Sequence, residues 1–231
     1  MNTSIRDQAV TEFSVIIPVY NEQSSIVPLF SSLRIVMDAL AKPYEIIFVN
    51  DGSTDDTLKV LKSLASENLI GINLKHSGKS LALQAGFDRA KGKIIITMDG
   101  DGQNDPEDIP RLLEKITEGY DVVCGWRRLR HDPPIKKISS KIANGIRKMA
   151  FRENLHDVGC ALRAYKAQSL MGLRLCRQRH RFLTAILKKR GARIGEVDVR
   201  HYPRRAGKSK YGTIKRLFGS MPDFFAILLE R

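Results

Sequence analysis

Two aspartates beside two glycines are the residues of this sequence best suited to metal-dependent chemistry. Asp99 and Asp101 lie in "ITMDGDGQND", after an apolar run that predicts a buried strand. In an extended segment, residues i and i+2 point to the same side, so we expect both carboxylates to face one point. Mg²⁺ and Mn²⁺ accept such oxygen ligands together with substrate phosphates. We predict a divalent ion that holds a diphosphate group; the alternative is an acidic turn that only caps a helix beginning at Pro106.

Two further polar clusters follow predicted strands in the same half of the chain. Tyr20 and Glu22 belong to "PVYNE", and Asp51 belongs to "NDGSTDD". An aromatic ring and carboxylates can flank a nucleobase and a ribose, and Asp51 can accept a hydrogen bond from a base N–H or a ribose hydroxyl. The alternative is that these residues only begin helices, and Ser53 or Thr54 is a candidate cap for the second one.

The elements that must position these clusters alternate between strands and helices. Short apolar runs predict strands at "FSVIIPVY", "YEIIFVN", "LIGINL", "KIIITMD" and "YDVVCG", with helical spacing between them. This alternation predicts an α/β fold with a mostly parallel sheet flanked by helices. Because ligands of such sheets bind beyond the carboxyl ends of the strands, the three clusters should form one site.

The pattern loosens after residue 125. Helices are predicted at 139–150, 178–189 and 213–229, and a strand is predicted within 192–203. No clear boundary divides the chain, so we expect a single domain over 1–231.

Charge is distributed unevenly over the 231 residues. Residues 1–120 carry 12 Lys and Arg against 17 Asp and Glu, whereas residues 121–231 carry 27 against 8, and the net charge is +14. The second half should therefore face something anionic, such as nucleic acid, phospholipid head groups or a phosphorylated substrate. An aromatic content of 7% and the lack of a recognisable motif argue against nucleic acid. The basic residues of 127–148 and the mixed final helix favour a membrane surface.

Several other classes are disfavoured. "HSGKS" ends like a phosphate-binding P-loop, but Asn73 stands where the first glycine is required. Cys124, Cys160 and Cys176 have no metal-type spacing, which indicates reduced thiols in a cytoplasmic protein. The N-terminus lacks the apolar run of a signal peptide, and no apolar stretch reaches the roughly 20 residues that span a bilayer.

Eight motifs in a fixed order carry a family resemblance: "PVYNE", "VNDGSTDDT", "SGKSLALQAGF", "MDGDGQNDP", "VVCGWR", "HDVGC", "HRF" and "RRAGKSKYG". From about residue 13 to about residue 218 the chain resembles glycosyltransferase family 2, in the branch of dolichyl-phosphate mannose synthases and bacterial polyprenyl-phosphate glycosyltransferases. The resemblance implies a Rossmann-like nucleotide-diphospho-sugar transferase (GT-A) fold. Residues of about 13–125 would bind the nucleotide-sugar, and those of about 126–231 would face the acceptor and the membrane.

The same resemblance assigns roles to individual residues. The implied nucleotide-sugar-binding residues are Pro18, Tyr20, Glu22, Asp51, Asp99, Gln103, Arg127, Arg204 and Lys210. The implied metal ligands for Mg²⁺ or Mn²⁺ are Asp99 and Asp101, and the implied catalytic residues are Asp157, Asp101 and Arg204. Trp126 departs from the Gly-Ser-Arg that relatives often have.

The reaction that this implies is inverting transfer of a hexose from a UDP- or GDP-sugar to a polyprenyl or dolichyl phosphate. Asp157 would act as a base or orient the nucleophile. The protein would be peripheral on the cytoplasmic face of a membrane, or would be the soluble part of a membrane protein. Three alternatives remain open: transfer to a saccharide or other hydroxyl, nucleotidyl transfer, and nucleic-acid binding.

Overall fold

One sheet of seven strands forms the centre of the molecule. The structure is a computed structural model and describes residues 10–64, 66–128, 145, 149–203 and 221–229. The strands are β1 (Phe13–Val19), β2 (Tyr44–Asp51), β3 (Leu69–Leu74), β4 (Ile94–Thr97), β5 (Val122–Trp126), β6 (Arg163–Lys166) and β7 (Ile194–Asp198). Their order is β3-β2-β1-β4-β6-β5-β7, and every neighbouring pair is parallel except those that include β6. The predicted mostly parallel sheet is therefore confirmed.

Helices cover both faces of this sheet. They are α1 (Ile26–Ala39), α2 (Thr57–Ser63), α3 (Lys79–Arg89), α4 (Ile109–Thr117), α5 (Ala167–Leu170), α6 (Leu183–Lys189) and α7 (Met221–Leu229), with short 3₁₀ turns at Pro106–Asp108 and Arg179–Phe182. None of the helices in the described ranges is both long enough and apolar enough to cross a bilayer.

Successive side chains of a strand point alternately into two hydrophobic cores, one on each face of the sheet. On β1, Val15 and Ile17 join the core that contains buried residues of α1 and α4, whereas Ile16 joins the core that contains residues of α3 and α6. This period of two explains why the strands are apolar on both sides, as parallel strands under two helical layers must be. A Cβ on Gly86 would lie 2.4 Å from Cγ2 of Ile16, so α3 packs directly on the sheet.

The predicted helix starts were wrong in two places. Neither Ser53 nor Thr54 caps α2, which begins at Thr57, because the hydroxyl of Ser53 bonds to Asn21 and Asn50 and that of Thr54 bonds to Asn21. Pro106 begins a 3₁₀ turn rather than an α-helix, and α4 follows it from Ile109. The Asp105 side chain accepts a hydrogen bond from the Glu107 N–H and so supports this tight turn.

The second half of the chain contributes two strands to the same sheet. The strand predicted within 192–203 is β7, but β6 had no sequence prediction and is the antiparallel strand. The predicted helix at 178–189 consists of a 3₁₀ turn followed by α6. Most of the predicted helix at 139–150 and the start of the one at 213–229 lie outside the described residues.

Candidate functional site

Four neighbouring parallel strands end at one edge of the sheet, and polar side chains follow each of them. The strands are β3, β2, β1 and β4, in spatial order. Tyr20 and Glu22 follow β1, Asp51 ends β2, and Asp99 and Asp101 follow β4. Pro18 lies within β1 and is paired with Val49 of β2. The fold therefore brings the three predicted clusters to one rim.

Hydrogen bonds fasten the segment after β1 to the segment after β2. The Asn21 N–H donates to Oγ of Ser53 at 2.9 Å, and Oδ1 of Asn21 accepts from the Thr54 N–H at 2.7 Å. The Glu22 N–H donates to Oγ1 of Thr57 at 2.8 Å. The residues that were expected to cap α2 thus join the two clusters instead.

Asp51 organises the loop that follows β3. Its side chain is 5% exposed, and its Oδ1 accepts hydrogen bonds from the N–H groups of Ser77 and Gly78 at 2.7 and 3.1 Å. Its Oδ2 accepts from Gly78 at 2.9 Å and lies 3.0 Å from Nδ1 of His76. Gly52 has a φ of +66°, and a Cβ there would lie 2.4 Å from the His76 nitrogen, so glycine permits this close approach.

Asp99 and Asp101 lie at a turn, so the extended geometry expected for them was wrong. The strand ends at Thr97, and residues 100 and 101 form the turn. The side chain of Asp101 is buried and accepts a hydrogen bond from the Gln103 N–H at 3.1 Å. The Asp99 carboxylate is 36% exposed and pairs with the ammonium group of Lys79, the first residue of α3.

The donor set suits a hard divalent ion that completes its shell with other oxygens. Asp99 and Asp101 offer carboxylate oxygens, which Mg²⁺ and Mn²⁺ prefer, and such ions commonly bind one or two carboxylates plus substrate phosphates. No group of three or more His, Cys, Asp or Glu arranged for a metal occurs in the part of the chain that the structure describes. Oxygens of a substrate diphosphate are among the further ligands that such an ion commonly takes.

Gln103 connects this turn to the segment that precedes Arg204. The Tyr202 N–H donates to the Gln103 carbonyl at 2.9 Å, and Nε2 of Gln103 donates to the Tyr202 carbonyl at 3.2 Å. Two of the predicted site residues, Arg204 and Lys210, lie outside the described residues, as do most of the basic residues of 127–148.

Arg127 and Asp157 form a second, largely buried cluster. Arg127 follows β5, and its Nε and Nη2 donate to Oδ2 and Oδ1 of Asp157 at 2.6 and 2.9 Å. The side chains are 14% and 2% exposed. Asp157 also accepts from the N–H groups of Arg127 and Gly159. Because both carboxylate oxygens already accept hydrogen bonds, this geometry suits a residue that holds Arg127 in place.

A buried arginine, Arg163 of β6, forms hydrogen bonds to the loop that carries Asp157. Nε and Nη2 of Arg163 donate to the carbonyls of Cys160 and Val158 at 2.9 and 2.6 Å. Nδ2 of Asn104 lies 3.9 Å from Sγ of Cys160, which connects this loop to the acidic turn. Burial raises the pKa of the Cys160 thiol to about 11, so the thiol is neutral near pH 7 and unsuited to metal binding or nucleophilic attack.

Trp126 precedes Arg127 of this cluster, and its indole ring contacts a histidine and an arginine. The rings of Trp126 and His156 stack with centroids 4.1 Å apart, and the Arg128 guanidinium lies 5.7 Å from the indole centroid. Nδ1 of His156 lies 2.9 Å from Oε2 of Glu196. An aromatic stack therefore occupies the position at which the family resemblance leads one to expect a serine.

Sequence reasoning missed Lys79 and His76, which follow β3. The signal was available: the rule that ligands bind beyond the carboxyl ends of strands applies to β3 as it does to β1, β2 and β4. Lys79 belongs both to "HSGKS" and to the family motif "SGKSLALQAGF", but neither pattern predicts that its ammonium group contacts Asp99. Arg163 had no signal, because its burial depends on β6, which was not predicted.

Comparison with known proteins identifies the family. The family model "Glycosyl transferase family 2" matches residues 14–173, so this chain belongs to that family, and the predicted resemblance is confirmed. An undecaprenyl-phosphate 4-deoxy-4-formamido-L-arabinose transferase from Aeromonas hydrophila is 39% identical over 203 residues, which are 86% of this chain and 62% of the relative. The transferase of the same name from Shewanella sediminis is 36% identical over 89% of this chain and 63% of its own length. The chain thus spans less than two thirds of the length of these two relatives.

Solved structures confirm the predicted GT-A fold. Glucosyl-3-phosphoglycerate synthase from Mycobacterium tuberculosis, in complex with Mn²⁺, UDP and phosphoglyceric acid, has a TM-score of 0.71 and 20% identity over 95% of this chain and 78% of its own. S. aureus TarS in complex with UDP-GlcNAc has a TM-score of 0.67 and 20% identity over 95% of this chain and 67% of its own. At this level of identity the likeness establishes the fold.

Proposed function

We propose that this protein transfers a sugar from a nucleotide-diphospho-sugar to a polyprenyl phosphate, with inversion at the anomeric carbon. The observation that carries the proposal is the rim at which Tyr20, Asp51, Asp99 and Asp101 follow adjoining strands of a family 2 chain. The acceptor is proposed from the two relatives, whose names specify undecaprenyl phosphate.

The donor side of the site would be built as follows. The nucleoside would lie against Tyr20 and the loop that Asp51 holds, with Pro18 and Glu22 nearby. Asp99 and Asp101 would hold Mg²⁺ or Mn²⁺, which when bound supplies positive charge for the diphosphate. Lys79 pairs with Asp99, and its ammonium group would turn to the diphosphate when a metal ion takes the Asp99 carboxylate. The family resemblance adds three residues to the proposed donor site: Gln103, Arg204 and Lys210.

The chemistry is a displacement at the anomeric carbon. An oxygen of the acceptor phosphate forms the new bond, the bond to the donor diphosphate breaks, and the electron pair leaves with the nucleoside diphosphate. Fixed positive charges lower the barrier because negative charge grows on this leaving group. A phosphate monoester has a second pKa of about 6, so the nucleophile is largely ionised at neutral pH and a general base is not required. We assign Arg127, which the family resemblance places in the nucleotide-sugar site, to that phosphate instead, as a cation that Asp157 holds in place.

We further propose that the protein works on an anionic membrane surface. Met221, Phe225, Leu228 and Leu229 are exposed, and their spacing places them on one face of α7. Lys189 is a neighbouring cation: its ammonium donates to the α7 carbonyls of Ile227 and Leu228. An apolar stripe beside cations is the pattern of helices that bind the interface of anionic bilayers.

A transfer assay tests the proposed reaction. Radiolabelled UDP- and GDP-sugars, with a 4-deoxy-4-formamido-L-arabinose donor among them, are incubated with undecaprenyl phosphate and Mn²⁺. We expect one donor to pass its label into the organic phase. Asp101→Ala should lower the rate about a hundredfold or more, because charge on the leaving group loses its stabilisation. Asp88→Ala, an exposed aspartate on α3, is the matched control. Label that stays aqueous with every donor, or that moves to a saccharide hydroxyl, contradicts the proposal.

A further inference from the structure

His76 covers the two groups that were predicted to bind the nucleobase. Its ring stacks on Tyr20 with centroids 4.4 Å apart and an interplanar angle of 27°. Its Nδ1 lies 2.9 Å from the backbone carbonyl of Asp51 and 3.0 Å from Oδ2 of the same residue. The His76 side chain is nevertheless 52% exposed, whereas that of Asp51 is 5% exposed. A base that reaches this corner therefore meets His76 before it meets Asp51.

The hydrogen bonds fix which nitrogen of His76 carries its hydrogen. Both oxygens that face Nδ1 can only accept, so Nδ1 is the donor. In the neutral imidazole, Nε2 is then an acceptor, and the ring is held in this orientation by the stack on Tyr20 and by Asp51. Asp51 has no comparable freedom, because N–H groups of Ser77 and Gly78 already bond to both of its carboxylate oxygens.

We infer that His76 reads the nucleobase of the donor: Nε2 accepts a hydrogen bond from a ring N–H, while Asp51 positions the imidazole. This inference rests on the proposed function and names the base contact within it. Uracil and guanine carry a ring N–H on the edge that is free in a nucleotide, whereas adenine and cytosine present an unprotonated ring nitrogen there. The site should therefore select uridine or guanosine diphosphate over adenosine and cytidine diphosphate.

The chain offers a closely matched control for this histidine. His156 also stacks on an aromatic ring, has Nδ1 2.9 Å from a carboxylate, and has a side chain that is 55% exposed. It lies beside Trp126, at the end of β5, rather than on the nucleotide rim. A general effect of removing a stacked, carboxylate-bound histidine would thus appear in both variants.

Calorimetric titration of the 231-residue protein with nucleotides tests the inference. In the presence of Mn²⁺, wild type should bind UDP or GDP more tightly than CDP and ADP. His76→Phe keeps a ring on Tyr20 but removes the acceptor, so affinity for the preferred nucleotide should fall about tenfold, as for one lost hydrogen bond. Affinity for pyrophosphate should not change, and His156→Ala should bind nucleotides as wild type does.

Each other result has a distinct meaning. Failure of wild type to bind any nucleoside diphosphate would contradict the proposed function itself. Wild-type binding with unchanged affinity in His76→Phe would overturn the inference alone, and tighter binding would show that His76 obstructs the base. Circular dichroism of both variants confirms that they are folded.

Discussion

At the scale of single residues, the pairing of Asp157 with Arg127 bears on which of two expected roles the carboxylate has. A general base must present a free oxygen to the proton that it removes. Both oxygens of Asp157 instead accept hydrogen bonds from Arg127, and the side chain is 2% exposed. The sequence left open a base or a residue that orients the nucleophile, and this geometry favours the second only indirectly, through Arg127. Both roles of Asp157 stay predictions.

Asp157→Asn separates these two roles. Loss of the charge loosens Arg127, so the KM for polyprenyl phosphate should rise about tenfold while kcat changes less. The pH profile of kcat should keep its shape. Since the pair is largely buried, the variant should also lose about 3 kcal/mol of unfolding free energy. Steady-state kinetics over a pH series, on protein shown to be folded, provides the measurement.

A double variant supplies the control. If Asp157 acts through Arg127, adding Asp157→Asn to Arg127→Gln should cost little beyond Arg127→Gln alone. A fall in kcat of more than about a hundredfold in Asp157→Asn, with loss of the acidic limb of the pH profile, would instead identify a general base, because a base is active only when deprotonated.

Most of the candidate donor site was predictable from residue types and spacing, but their contacts were not. Tyr20, Asp51, Asp99 and Asp101 lie at one rim because the strand-end rule requires only the order of elements. The pairing of Lys79 with Asp99 depends on the path of the loop after β3. That path is set by hydrogen bonds to Asp51, and no local pattern encodes them.

At the scale of elements, α7 carries the clearest surface signal. Its sequence predicts a helix, but periodicity cannot separate a stripe that packs on the core from one that faces a membrane. The structure shows which face of α7 packs on the core: Ile227 is buried, and Phe224 packs against Phe151 and Phe182. On the other face, Phe225 and Leu229 are 52% and 79% exposed.

The exposed stripe gives a flotation test. Burying a large apolar side chain contributes about 2 kcal/mol, so replacing Phe225 and Leu229 with Asp should greatly reduce flotation with anionic liposomes. Wild-type binding should also weaken as salt rises, because each nearby basic residue contributes about 1 kcal/mol. Ile35→Asp, on α1 and 72% exposed, should float as wild type does. Equal flotation of all variants would contradict the α7 assignment.

The strands of the first half were easier to predict than those of the second. β1 and β2 are short apolar runs with helices between them, and pattern alone identifies them. β6 has only four residues and contains Arg163, whose charge breaks the apolar pattern. That arginine is tolerated in the core because carbonyls of Val158 and Cys160 accept its hydrogen bonds, which is a property of the folded loop.

At the scale of the whole molecule, the uneven charge fits the proposal that the first half binds the donor and the second half binds the acceptor. The acidic first half supplies the carboxylates of the rim, and a bound cation would offset their repulsion. The basic second half supplies Arg127 and Lys189, and its positive charge would suit the proposed anionic acceptor at an anionic surface. The assignment of about 13–125 and about 126–231 to these two tasks stays a prediction, although strands from both halves share one sheet.

The central claim is that the carboxylates after β4 hold a divalent ion together with a nucleoside diphosphate. Electron paramagnetic resonance of Mn²⁺ measures this directly, because the signal of the free aqueous ion falls when the ion is bound. We expect UDP or GDP to make wild-type protein remove that signal, and we expect Asp101→Ala to lose this effect while Asp88→Ala keeps it. UDP and GDP bind some Mn²⁺ by themselves, so the loss is counted beyond that of nucleotide without protein. A further loss that persists unchanged in Asp101→Ala would contradict the account.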